Sequence, residues 1–336
     1  MDRFIWLLAL LPLGLPVGAL VIDRILGLPA PRLFRYLGPP AVFLYLVVIT
    51  YALITAHPLL ELIGWGLLGG LFGTAALDAV RLLGVRLNAF PMDMPVMFGV
   101  ISLGLAPRLQ QNMLATTVGW VAALPFEGRR AMLAQRLPAI ARLPESQRVA
   151  VLRGMRKGLS LLPHEQRTEV LTTQMDLMAE LPAGLRKNLM TAMDLATQTN
   201  GAGPYGQPRG LPRLPMAVFR EFVRQAYPRT LQEAGIPHRR IAWRGYLWHF
   251  LIGATFGITY TLLFGAGSWA LAFGWGIFVW LGMMVLMPPM MPMVRFPWWF
   301  PGVPFLAHLA MAIPIGFFAR FVGPAAAGVS LVGLIR

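Results

Sequence analysis

Apolar residues in this chain gather into long blocks, separated by short turns rich in arginine, proline or glycine. A helix needs roughly 20 residues to span about 30 Å of hydrocarbon. Phe4–Ile22, Pro40–Ala56, Leu59–Val80, Trp243–Phe264 and Trp269–Met287 reach or approach that length, and Val303–Val322 makes a sixth block. The pattern predicts an all-α, multi-pass transmembrane helical bundle of about six spans. The leading MDR carries no net positive charge and no small-x-small cleavage site follows the first block, so that block is expected to be a retained anchor.

Two further apolar runs, Pro95–Ala106 and Met113–Leu124, are too short to span, at about 18 Å of helix each. The polar stretch PRLQQN separates them. They are expected to form a re-entrant or interfacial hairpin. If the hairpin enters the bilayer, Arg108, Gln110, Gln111 and Asn112 line a pathway, with Asp93 at its mouth. Asp93 also suits a helix N-cap or a cation ligand.

The middle of the chain follows a different rule. Pro125, Pro144, Pro163 and Pro182 are spaced by 19 residues, each preceded by leucine and followed four residues later by Arg129, Arg148, Arg167 or Arg186. Positions seven and eight after each proline are apolar throughout. Proline suits the first turn of a helix, and Glu127, Glu145 and Glu165 suit its positive end. Each unit therefore predicts one helix and a tight connection, and a single such helix can bury its apolar stripe only by stacking on neighbours. The arginines either bridge to the carbonyls ending the preceding helix, which is the preferred reading, or form a ladder facing a partner or anionic lipid. A Gly- and Pro-rich linker follows, then an amphipathic helix at Met216–Tyr227 that fits an anionic leaflet or a protein surface. The expected domains are 1–124, 125–197, 198–241 and 242–336.

Composition sharpens the class. Of 336 residues 57% are hydrophobic and 13% charged, with a mean hydropathy of +0.62, too apolar for an ordinary soluble domain. The absence of cysteine excludes disulfides, thiolate metal sites and thiol catalysis. A net charge of +15 without a nucleic-acid-binding motif is read as topology, and no nucleic acid partner is expected. Keeping most arginines on one side gives a bacterial-type inner-membrane protein with both termini outside and the central section cytoplasmic.

The spans carry two histidines with small residues one and two turns on: His249 with Gly253 and Gly257, His308 with Ala312 and Gly316. Such faces admit a close helix or a flat ligand, so His249 and His308 are candidate axial ligands to b-type haem or a metal, or members of a proton or substrate relay. Met287, Met290, Met291 and Met293 in MPPMMPM offer thioethers to a soft metal, against the plainer reading of an extended loop at the headgroups. Asp78 can pair with Arg81 at i, i+3. Gly66, Gly70, Gly69 and Gly73 predict a closely packed third span. No hydrolase, kinase or nucleotide-binding motif is present, so an enzyme is not favoured. The functional expectation is a scaffold, assembly or accessory subunit docking a protein partner through its helical repeat. A small-solute or ion transporter and a membrane haem or metal protein are the alternatives.

Overall fold

The computed structural model describes residues 2–26, 28–198, 213–291 and 294–335. Among the described residues the fold is helical apart from a two-residue parallel pairing of Leu214–Pro215 with Val294–Arg295. In chain order the helices are α1 (Asp2–Leu10), α2 (Leu15–Leu26), α3 (Ala30–Ile54), α4 (Leu59–Arg86), α5 (Met94–Ser102), α6 (Ala106–Ala122), α7 (Phe126–Ala141) and α8 (Glu145–Ser160). There follow α9 (His164–Glu180), α10 (Ala183–Gln198), α11 (Met216–Ala234), α12 (His238–Phe264), α13 (Trp269–Met290), α14 (Gly302–Ala319) and the short α15 (Pro324–Gly328) and α16 (Leu331–Ile335). Among the described residues, six segments are long and apolar enough to cross a membrane: Phe4–Asp23, α3, α4, α12, Trp269–Pro288 and α14. The protein is therefore membrane-embedded.

The chain divides into two compact units. One comprises residues 1–103, 239–290 and 297–336; the other comprises 104–238 and 291–296. Within the first, α4 is the packing centre because it carries two glycine faces. A Cβ on Gly70 would lie 2.3 Å from the Gly253 carbonyl oxygen, and one on Gly257 would lie 2.2 Å from that of Gly66, so α4 and α12 meet backbone to backbone. The second face, Gly69 and Gly73, receives Ile315 and Met311 of α14. A glycine contact also joins α5 to α12, with Gly245 against the Pro95 carbonyl and Gly99 against that of Ile241.

The second unit explains the Leu-Pro-x-x-x-Arg spacing. Pro125, Pro144 and Pro163 hold the N-cap positions of α7, α8 and α9 in extended backbone, and Pro182 precedes α10. The amide of each following arginine closes the first helical turn onto its proline carbonyl, at 2.9 Å for Arg129 and Arg148 and 3.0 Å for Arg167 and Arg186. Three of the side chains then turn back to the preceding helix. Arg129 donates to the Ala122 carbonyl at 3.5 Å, Arg148 to that of Ala141 at 2.7 Å, and Arg167 to those of Leu159, Ser160 and Leu162 at 2.9, 3.3 and 3.0 Å. These guanidiniums satisfy carbonyls that a helix C-terminus leaves open. Arg129 and Arg148 are buried, so they cannot belong to an outward ladder, and Arg129 also pairs with Glu169 at 2.7 Å. Arg186 makes no side-chain hydrogen bond among the described residues.

Several expectations change here. PRLQQN does not separate two short helices: Pro107 stands in the first turn of α6, and the break lies at Leu103–Leu105, where Gly104 takes a φ of +69°. α6 groups with the helical unit and packs on α8 and α11. Gly158 of α8 would place a Cβ 2.8 Å from the Ala115 carbonyl of α6, which shows how close the two run. The apolar face of α11, with Phe219, Phe222 and Val223, is buried, and Phe222 meets Trp120 of α6 edge-on at 6.1 Å. It covers protein rather than a leaflet. The linker falls largely on residues 199–212, outside the described residues.

Candidate functional site

The site arises from two i, i+3 pairs that face each other. Residues three apart share a helix face, so α4 presents Asp78 and Arg81 together and α12 presents Tyr246 and His249 together. The two helices run antiparallel, and the pairs meet as two rungs: His249 Nε2 lies 2.9 Å from Asp78 Oδ1, and Arg81 Nη2 donates to the Tyr246 hydroxyl at 3.0 Å. Arg81 Nε also donates to Asp78 Oδ1 at 2.7 Å. The chain then leaves α4 and turns through Asn88, whose φ of +59° is the left-handed conformation asparagine tolerates. The turn brings Asp93 back to accept from Arg81 Nη1. Asp93 occupies the N-cap position of α5 but makes no side-chain cap bond, because its carboxylate is committed to Arg81.

Five polar side chains from α4, the α4–α5 turn and α12 therefore form one network. Arg81 is its hub, with a side chain 3% exposed, while Asp78 and His249 are 10% and 13% exposed. Asp93, at 28%, is the network's open side. Burial pushes the Asp93 carboxyl above the ordinary carboxylate range, against the opposing pull of the Arg81 guanidinium. Phe98 of α5 covers the His249 ring at a centroid distance of 6.0 Å. Asp78 lies eight residues before the end of α4, about 12 Å along the helix.

The charge count is unequal. Two carboxylates face one guanidinium, so the network carries a formal charge of −1 with a neutral imidazole and reaches zero by holding one more proton. An ionised carboxylate can only accept, so His249 donates from Nε2 and Nδ1 remains for proton exchange. His308 on α14 is oriented in a comparable way: Nδ1 donates to the Pro304 carbonyl at 2.6 Å, leaving Nε2.

The remaining candidates fall elsewhere. The small-residue face beside His249 is filled by α4, and that beside His308 by α13, where Gly316 meets Ala272 and Trp269 and Gly276 meets the His308 carbonyl. Neither face leaves room for a flat ligand, which removes the reason for reading the histidines as haem ligands. Among the described residues no three His, Asp or Glu side chains are placed to hold a metal ion. The first residues of MPPMMPM continue α13 as far as Met290 instead of forming an extended loop. Met287 and Met291 are buried but belong to different units, while Met293 and the side chain of Met290 lie outside the described residues.

Of the polar residues expected to line a hairpin, Asn112 is fully buried and donates to Thr230 at 3.0 Å and Glu233 at 3.3 Å. Arg108 donates to the Glu233 carbonyl at 3.2 Å, and Gln110 and Gln111 are half-buried on α6. Glu233 also receives Lys157 at 2.6 Å. Burial would raise the Glu233 carboxyl, but the hydrogen bonds from Lys157 and Asn112 hold it below its ordinary range. Arg108, Asn112 and Lys157 thus bind α11 to α6 and α8.

Sequence reasoning finds the Asp78–Arg81 pair and His249 separately. It misses their union with Asp93 and Tyr246, and the matching i, i+3 spacing of Tyr246 and His249 is the signal that could have joined them. Comparison of the chain with protein-family models, with curated proteins and with solved structures gives no match.

Proposed function

We propose that the protein is a proton-coupled ion or small-solute transporter in which the Asp78–Arg81–Asp93–Tyr246–His249 network carries the proton. The supporting observation is a buried ionic network on two membrane-spanning helices in which two carboxylates face one guanidinium. Ionisable groups are costly within a bilayer, and apolar side chains would join α4 to α12 at lower cost. His249 exchanges the proton with Asp78. The arginine distribution supports a bacterial inner-membrane topology with the helical section cytoplasmic and both termini outside.

The test is proton flux in proteoliposomes under an imposed pH gradient, read by an internal pH-sensitive dye. The intact protein should dissipate the gradient faster than empty vesicles, and His249→Gln and Asp78→Asn should lose that flux while remaining monodisperse. Flux equal to empty vesicles for the intact protein, across a panel of added ions and solutes, would overturn the reading.

A second reading, a scaffold or accessory subunit, is favoured by a different observation: the prolines and arginines of α7 to α10 are spent on holding helices together, which suits a stacked repeat used as a binding platform. Deleting residues 125–197 should then abolish co-purification of a protein partner, and undiminished co-purification would remove this reading.

A further inference from the structure

Three of the helical section's four repeated arginines are turned inward, yet exposed basic residues also lie on the membrane-spanning helices themselves. Phe34 of α3 packs on Trp248 of α12 with ring centroids 4.1 Å apart. Val48 and Leu262, the same number of residues further along each helix, share one core cluster. α3 and α12 therefore run parallel and in register. That register sets Arg32 and Arg35 of α3 level with Tyr246 and His249 of α12, with Arg244 about 3 Å and Arg240 about 9 Å short of Arg32 along the axis, so the four exposed arginines form a staggered strip on the two helices. None of the four makes an ion pair among the described residues, and the two carboxylates of the polar network are already held by Arg81.

The outward stripes of both helices change character in the same direction. On α3, Arg32 and Arg35 give way to Val42, Phe43 and Leu46, exposed by 60, 69 and 56%. On α12, Arg240 and Arg244 give way to Leu247 and Leu251, exposed by 57 and 41%. Tyr36 and Trp243 lie exposed near the change from basic to apolar, where amphipathic aromatic rings mark the headgroup level. A cationic end continuous with an apolar track along two parallel helices matches an amphiphile with an anionic head and acyl chains. A soluble anion uses only the head end, and an acidic peptide has nothing to lay along the track.

We propose that the α3–α12 face binds an anionic phospholipid, with its phosphate where Arg244 and Arg32 come nearest in level, Arg240 and Arg35 flanking it, and its acyl chains along the apolar stripes. This assignment is independent of proton transport and stands if that reading fails. Binding is measured on the full-length protein in neutral detergent by native mass spectrometry, titrating phosphatidylglycerol, phosphatidylcholine and inorganic phosphate separately.

Phosphatidylglycerol should bind at least ten-fold more tightly than phosphatidylcholine, and inorganic phosphate should not compete with it at equal concentration. Replacing Arg240 and Arg244 with Gln together should weaken phosphatidylglycerol binding roughly thirty-fold, given the usual contribution of each juxtamembrane arginine. These side chains are exposed, so the variant should fold, with an unchanged elution volume as the check. The paired change Arg186→Gln and Lys187→Gln, which removes the same charge from α10, should leave binding within three-fold. Equal weakening by both pairs, equal affinity for the two lipids, or full competition by inorganic phosphate would overturn the proposal.

Discussion

Arg81 is the side chain whose removal should cost this membrane unit most. Its guanidinium is 3% exposed and bonds Asp78, Asp93 and Tyr246. Replacing it with Met keeps most of the volume but leaves two carboxylates without their cation. Breaking a buried ion pair by deleting one partner costs about 3–5 kcal/mol, since the surviving charge is stranded. Asp78→Ala removes the bonds from Arg81 and His249 yet leaves Arg81 paired with Asp93, so about 3 kcal/mol is expected. Asp93, at 28% exposure, opens to water, and Asp93→Ala should cost about 1 kcal/mol. In the double variant Arg81→Met with Asp78→Ala, the remaining carboxylate is the one nearest solvent. Its cost should therefore fall short of the sum of the singles by about 1–3 kcal/mol. Unfolding in detergent, followed by circular dichroism, measures the series. An Asp93→Ala loss as large as that of Arg81→Met, or strict additivity of the two deep substitutions, would refute the view of Arg81 as the hub.

Other consequences follow from particular contacts. Gly257→Val should destabilise by about 3 kcal/mol or more, because its new carbon meets the Gly66 carbonyl oxygen at 2.2 Å, whereas Gly274→Ala, with nothing within 4 Å, should stay within about 0.5 kcal/mol. Thermal midpoints of the two variants decide it. Arg148→Ala should cost about 1.5–3 kcal/mol by losing its 2.7 Å bond to the Ala141 carbonyl, and Arg186→Ala about 0.5 kcal/mol or less; equal losses in unfolding would show that these ties do not matter. The Glu233 carboxyl is held below its ordinary value, so its stabilising effect is complete above about pH 4.5 and is lost as pH falls through the lowered value. Hydrogen exchange of α11 should accordingly accelerate below pH 4.5 in the intact protein, and Glu233→Gln should flatten that dependence. An unchanged pH profile in the variant would assign the effect to another group.

Local features were legible in the sequence and distant pairings were not. The six spans could be read because lipid-facing helices require unbroken apolar blocks. The structure mostly extends them at their polar ends, as where α3 begins at Ala30 rather than Pro40. The proline-arginine spacing was legible because its cause is local, one helical turn and the helix before it. PRLQQN misled because a polar run between apolar runs looks like a break. Its polarity serves α11 instead, through Asn112 bonding to Thr230 and Glu233, more than a hundred residues away in sequence. The glycines next to His249 were recognised as a close-approach surface, but a single sequence could not say whether a ligand or α4 fills it. The same limit applied to Asp78 and His249, each visible alone and separated by 171 residues.

The central claim is that the His249 imidazole passes the proton. It is tested most directly by flux through His249→Ala proteoliposomes with and without added imidazole. The account predicts loss of gradient dissipation in the variant and partial recovery when imidazole enters the vacated volume beside Asp78, with no effect of imidazole on the Asp78→Asn protein. Flux through His249→Ala equal to that of the intact protein would contradict it.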